Sequence, residues 1–324
     1  MVRIGYKLSS EEQRPRDLVG FARLAEQAGF SFALISDHYH PWIDRQGQSP
    51  FVWAVIGAIA QATEKLELGT AVTCPTVRIH PAIIAQAAAT AAAMMPGRFF
   101  LGVGTGEALN EHILGDPWPP THIRQEMLEE AVAVIRLLWE GGLKNHRGRY
   151  YRVDNARLYS LPDTAPPIHV AVGGSRAAEL AGKIGDGMIA TTAEPDLVQA
   201  FERAGGQGKP RYAEMTVCWA RSEADARRTA HAYWPTAAIP SALSWELPLP
   251  SHFEAAAELV TEDATAQEIT CGPDPERHRE AIRRYVRAGF EHVCVHQVGP
   301  DQKGFIEFYA REVVPSLGSL RAAA

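Results

Sequence analysis

A (β/α)8 barrel is the fold class this sequence predicts, and three observations carry the prediction. Short apolar runs of strand length alternate with longer amphipathic stretches along the whole chain. The 324 residues hold no linker-like break, and barrels of this kind need about 250 residues plus insertions. The turn after the first strand has no GxGxxG, where a doubly wound dinucleotide-binding sheet would place one. The expected organisation is one domain over 1–324, with a lid-like insertion at about 221–270.

Each element follows from local pattern. Arg3–Lys7 reads as strand one. Arg16–Phe30 reads as a helix because Leu18, Phe21, Ala22, Ala25 and Ala28 recur at helical spacing, and Gly29 suits a helix C-terminus. Phe32–Asp37 is strand two, Phe51–Thr63 the second helix and Leu66–Val72 strand three. His80–Met95 is an alanine-rich helix with Pro81 in its first turn and Pro96-Gly97 as its stop. Arg98–Gly104 is strand four, and Thr121–Glu140 a long helix. Ile168–Val172 and Gly187–Thr191, strands five and six, flank the helix Ser175–Ile184. Glu214–Ala220 is strand seven. The helix Pro275–Ala288 leads to strand eight, His292–Gln297, and Asp301–Leu317 closes the chain as a helix.

Residues beyond this minimum collect at Tyr39–Pro50, Glu107–Pro120, Gly141–Pro167 and Arg221–Thr270. Three of these segments follow strands two, four and seven, and strand-to-helix loops build the active face of a barrel. The remaining one, with Arg149-Tyr150-Tyr151-Arg152-Val153, follows a helix and reads as a hairpin used in packing or subunit contact.

At 46% hydrophobic and 22% charged, the composition is that of a globular protein. A net charge of −6 and a pI near 6.1 give nucleic acid and anionic membranes no electrostatic reason to approach, so the expected partner is a small molecule. No apolar run approaches the ~18 residues of a membrane span, and MVRIGYKLSS has no signal-type apolar core, so the expected address is cytoplasmic. Cys74, Cys218, Cys271 and Cys294 form no CxxC pair and read as core thiols.

The strand exits are the positions where chemistry is expected. They carry Asp37 and His38, Ala71-Val72-Thr73, Glu107 and Asn110, Gly173-Gly174, Thr191-Thr192, Trp219, and His296. The stretch Ser36-Asp37-His38-Tyr39-His40-Pro41-Trp42 admits a zinc pair, an acid/base centre or a polar turn. A zinc site needs further ligands from later strand ends, and strands five and six end in Gly-Gly and Thr-Thr. An acid/base centre needs a histidine able to exchange a proton near neutral pH and a second titratable group, for which Glu107 is placed. Gly173-Gly174-Ser175 lets backbone approach a ligand closely.

Together SDHYHPW, GTAVTCPTVRIHPAIIAQA, RFFLGVGTGEALNE, VAVGG and IGDGMIAT resemble the coenzyme F420-dependent glucose-6-phosphate dehydrogenases, a branch of the luciferase-like (β/α)8 superfamily. The resemblance implies a cytoplasmic homodimeric dehydrogenase moving a hydride between a carbinol carbon and C5 of the deazaflavin. The alternatives are an FMN-dependent luciferase-like monooxygenase and, further off, a metal-dependent hydrolase. It implies His38 as general base, Trp42 beside the reacting centre and Glu107 on the cofactor side. Asp37, Ala71, Val72, Asn110, Gly173 and Gly174 would line the cofactor pocket, with a non-proline cis bond at Ala71–Val72. Glu11, Thr191 and Trp245 fall to the substrate side, and no metal is implied.

One departure bears on the substrate. Where the glucose-6-phosphate enzymes hold phosphate with lysines, this chain has Glu194 and Ala255, and the matching arginine is one of Arg277, Arg279 and Arg283. A carboxylate repels a phosphate dianion. A sugar, another sugar phosphate or a secondary alcohol are the expected substrate classes. The segment around Trp234-Pro235 and Ser244-Trp245-Glu246-Leu247-Pro248 is apolar and lid-like.

Overall fold

The structure is a computed structural model that describes residues 1–317. In chain order its strands are Arg3–Leu8 (β1), Phe32–Ile35 (β2), Glu67–Thr70 (β3), Phe99–Val103 (β4), Lys144–Arg147 (β5), Arg152–Ala156 (β6), Ile168–Val172 (β7), Gly187–Ala190 (β8), Arg211–Cys218 (β9), Thr270–Cys271 (β10) and His292–Gln297 (β11). Parallel pairing runs β1-β2-β3-β4-β7-β8-β9-β11 and returns from β11 to β1, so eight strands close a barrel. The two-residue β10 adds to the far edge of β9.

The helices are Pro15–Gln27 (α1), Val52–Ala62 (α2), Pro81–Met94 (α3), Ala108–Glu111 (α4), Thr121–Trp139 (α5), Ser175–Ile184 (α6), Pro195–Phe201 (α7), Glu223–Tyr233 (α8), Ser241–Ser244 (α9), Pro250–Ala257 (α10), Glu262–Glu268 (α11), Pro275–Arg287 (α12) and Gln302–Phe308 (α13). Proline opens α1, α3, α7, α10 and α12, where its missing N–H costs no helical bond. No helix of the described residues is long and apolar enough to cross a membrane.

The barrel lumen is layered by strand alternation. Its lower layer is aromatic: the Tyr212 ring lies 5.2 Å from Phe32, 4.9 Å from Phe100 and from His169, and 4.1 Å from His292. Burial pushes His169 down to about 4 and His292 to about 3, so both rings are neutral at pH 7. Two residues further along the same strands the lining turns polar, with Glu214 on β9, Cys294 on β11 and then His296. Lys7 does the same on β1. Polarity therefore rises toward the C-terminal ends of the strands.

Several expectations shift. Strand seven starts three residues earlier than read, at Arg211, because Tyr212 contributes to the lumen stack. The C-terminal helix is not uniform: α13 passes into a wider turn over Tyr309–Val313 and a tighter one over Val314–Ser316, where Pro315 has no N–H to continue the ladder. The helix α7 and the four helices α8–α11 within the late insertion lacked a legible period. The expected hairpin is β5–β6. It packs along α5, with backbone N–H groups of Arg149, Tyr150 and Tyr151 donating to Glu130. Its buried Tyr151 hydroxyl donates to the Thr76 carbonyl at 3.0 Å, beyond β3. All four cysteines are buried and free.

The Ala71–Val72 bond is cis. Just before it, Thr70 locks onto Gly102 of β4: its hydroxyl donates to the Gly102 carbonyl at 2.7 Å and accepts the Gly102 N–H at 3.0 Å. A Cβ on Gly102 would overlap the Thr70 carbonyl. Gly102→Ala is expected to cost about 3 kcal/mol or more, or to prevent folding, read by urea unfolding. Parental stability in that variant would mean the two strands are not in the contact described.

Candidate active site

The loop after β2 carries most of the site. His38 stands half-buried with Nε2 3.3 Å from Glu11 Oε1 and Nδ1 3.2 Å from the His40 carbonyl oxygen. Glu11 is buried behind it on the loop after β1. Its Oε2 accepts from Ser36 at 2.6 Å and from Ser9 at 3.0 Å. Burial alone would raise the Glu11 carboxyl, but His38, Lys7 and the Ser36 hydroxyl outweigh it and hold it at about 2. Glu11 is thus an ionised partner of the imidazole.

Trp42 forms the wall beside His38, its ring 5.1 Å away at 60°. Phe253 of α10 meets the other side of Trp42 edge-on at 5.2 Å. Ile43, Leu109, Ile239 and Leu247 join them, so the late insertion closes onto this loop through an apolar seam. Trp245 lies against bare backbone, since a Cβ on Gly173 would sit 3.1 Å from its ring. The Ala108 N–H donates to the Trp245 carbonyl at 3.0 Å, tying the insertion to the β4 exit. Ion pairing of Arg124 with Glu246 at 3.0 Å adds a second tie.

Asp37 points away from this wall. Its carboxylate accepts from Thr73 at 2.7 Å and from Arg78 at 3.0 Å. Arg78 also meets Glu111, through its backbone N–H at 2.7 Å and its Nε at 3.4 Å. Asn110 is buried, and its Oδ1 accepts the N–H groups of Tyr39 and His40 at 2.8 and 3.2 Å. Its amide donates to Glu107 at 3.4 Å, which leaves Glu107 half-buried at the pocket. Gly106 has φ +77°, and a Cβ there would meet Cys74 Sγ at 2.7 Å, so only glycine makes this turn.

The predicted set therefore divides. His38 touches both Glu11 and Trp42, Asn110 ties the same loop to Glu107, and Asp37 joins a separate network with Thr73 and Arg78. Ala71 and Val72 pack on the lumen cluster of Phe32, Phe100, Ile189 and Tyr212, and Gly173 lies against Trp245. Among the described residues no hydrogen bond ties the Thr191 side chain to any of these groups; its carbonyl accepts from Tyr285 at 3.0 Å. Trp219 turns outward and stacks on Phe308 of α13. His40 does not share a focus with His38: its Nδ1 lies 2.9 Å from the Leu109 carbonyl and its ring stacks on His112. Sequence reasoning missed Lys7, Arg78, Glu111 and Glu214. The available signal was a charged residue inside an otherwise apolar strand, as in Ile4-Gly5-Tyr6-Lys7-Leu8.

Glu194 and Ala255 are both exposed. Arg277 pairs with Glu223 at 2.9 Å, and Arg279 and Arg283 pair with Glu276 at 2.8 and 2.5 Å. All three arginines are thus committed to surface carboxylates.

A closed parallel barrel with its elaborations after β2, β4 and β9 and its polar side-chain cluster at the C-terminal strand ends is a (β/α)8 barrel with the layout of an enzyme. The chain belongs to the luciferase-like monooxygenase family, whose model matches residues 1–292. The F420-dependent glucose-6-phosphate dehydrogenase of Beutenbergia cavernae is 38% identical to it, over 98% of each chain. The enzyme of the same name from Microbacterium testaceum is 35% identical, over 98% of this chain and 97% of its own. A solved F420-dependent secondary alcohol dehydrogenase in complex with an F420–acetone adduct superposes with a TM-score of 0.90. It is 32% identical and covers 97% of this chain and 98% of that one.

With 7% exposure for Arg78 and 1% each for Asp37 and Glu111, removing the cation strands two buried carboxylates. Arg78→Met is expected to cost about 3–5 kcal/mol in urea unfolding, with Arg78→Lys recovering only part. A cost below about 1 kcal/mol would show the carboxylates to be solvated instead.

Proposed function

We propose that this protein is an F420-dependent dehydrogenase of small, uncharged secondary alcohols, with His38 as the general base. What supports the substrate class is the aromatic wall that Trp42 sets beside His38, backed by Phe253 of the late insertion. The positions that would supply phosphate-binding cations bear Glu194, Ala255 and three ion-paired arginines.

The glycines at these strand exits allow close packing: a Cβ on Gly104 would lie 2.6 Å from Val72, and one on Gly173 3.1 Å from the Trp245 ring. Val72, Asn110, Glu107 and Gly173-Gly174 would hold the deazaflavin, which when bound supplies a hydride acceptor at C5. His38 takes the hydroxyl proton as the alcohol is oxidised. Its Nε2 faces the ionised Glu11 and its Nδ1 the His40 carbonyl oxygen, so the substrate hydroxyl has to displace one of these two contacts before the imidazole can take its proton. The ionised Glu11 fixes the imidazole and offsets the charge it gains. Trp42 excludes water from one flank and offers its ring to the imidazolium at 5.1 Å.

F420 is expected to bind with a change in its absorbance, and FMN and zinc to bind weakly or not at all. An F420 spectrum unchanged by the protein, with tight FMN binding, would remove the cofactor assignment. In a panel of alcohols and sugar phosphates, kcat/KM for glucose 6-phosphate should fall at least ~10²-fold below that for the best secondary alcohol, since a dianion finds no partner. High efficiency on glucose 6-phosphate would overturn the substrate class. His38→Ala should keep F420 affinity and lose about 10²–10⁴ in turnover; unchanged turnover would dismiss it as the base.

A further inference from the structure

Beneath the pocket, the barrel lumen holds the buried ammonium of Lys7. Its Nζ donates to Glu214 at 2.7 Å and to the Ala71 carbonyl at 3.1 Å. Glu214 also lies 3.7 Å from His296 Nδ1, while His296 Nε2 is buried with no partner. The groups facing Lys7 are Glu11 from the loop after β1, Glu214 on β9, and Cys294 and His296 on β11, while Glu12 and His38 face Glu11.

We infer that Lys7 is a positioning residue of the active site, pinning the Ala71 carbonyl at the cofactor wall and sharing its buried positive charge between Glu214 and Glu11. The assignment to a cofactor wall rests on the function proposed above; the effect on Glu11 does not.

Charge balance supports it. Glu11 and Glu214 are two carboxylates in the same enclosed space. Burial pushes His296 down to about 4, so it carries no charge at pH 7 and balances neither. Burial would lower Lys7 as well, but Glu214 and Glu11 hold it up, so the ammonium is the cation the two carboxylates share. Geometry supports it too. A lysine present only to neutralise Glu214 needs one contact, whereas Lys7 spends a second of its three donors on Ala71, the residue that opens onto the pocket.

Two variants test this, because Lys7→Met alone would strand Glu214 and could unfold the chain. Lys7→Met/Glu214→Gln removes the pair and its charge. Glu214→Gln alone leaves the ammonium to Ala71 and Glu11. The readouts are F420 affinity by fluorescence titration and carbon-13 NMR of glutamate carboxyls in the cofactor-free proteins, with Glu11→Gln to assign the Glu11 signal. In the parent and in Glu214→Gln, Glu11 is expected to stay ionised down to acid unfolding, with F420 affinity within about twofold of the parent. In the double variant, Glu11 should titrate within the folded range and F420 affinity fall about tenfold or more. A double variant with parental affinity and an ionised Glu11 overturns the proposal. So does a Glu214→Gln protein that behaves like the double variant, since general loss of packing moves both alike. If the parent binds no F420, the cofactor reading fails, while the Glu11 comparison still decides whether Lys7 sets its charge.

Discussion

The catalytic face depends on one guanidinium. Asp37, Arg78 and Glu111 come from the exits of β2, β3 and β4, three segments whose polar backbones would otherwise splay toward water. Arg78 draws the two carboxylates together below the surface, and its planar fork suits two partners in a way an ammonium does not. Everything nearer the chemistry is built on that junction. Glu111 lies next to Asn110, which grips the Tyr39 and His40 N–H groups. That grip sets where His38 and Trp42 project. The arrangement is costly to desolvate and tolerates little change, which is the usual trade for a rigid site.

Two kinds of construction meet around His38. Close backbone packing at Gly104 and Gly173 brings Val72 and Trp245 against the strand exits. Trp42 is met by Phe253 from an insertion more than two hundred residues away in sequence. The insertion contacts the barrel through a seam of side chains and two polar ties.

Much of the barrel was legible because its strands and helices obey simple periods and because prolines and glycines mark their ends. The positions of His38, Trp42 and Glu107 at the C-terminal strand ends were legible because strand exits are where chemistry is expected in this fold. Lys7, Arg78, Glu111 and Glu214 were not, since their importance lies in pairings across long sequence separations such as Lys7 with Glu214. The one local cue for Lys7 was its place inside an apolar strand, and that cue does not name the carboxylate it meets. Glu11, expected at the substrate side, has its carboxylate on Ser9, Ser36 and His38. The helices α8–α11 escaped detection because they are short, proline-punctuated and stabilised by the barrel they cover more than by their own period.

The aromatic layer at the base of the lumen has a consequence for where protons travel. Phe32, Phe100, Tyr212 and the neutral rings of His169 and His292 fill the channel that the closed sheet would otherwise leave. Below them lies a rim of ions, including Arg3 with Glu67 and Arg211 with Glu202. The layer acts as an insulating plug between that rim and the charged groups above. The charged groups above the layer, His38 and Glu11 among them, therefore exchange protons with bulk solvent by the mouth and not through the barrel floor.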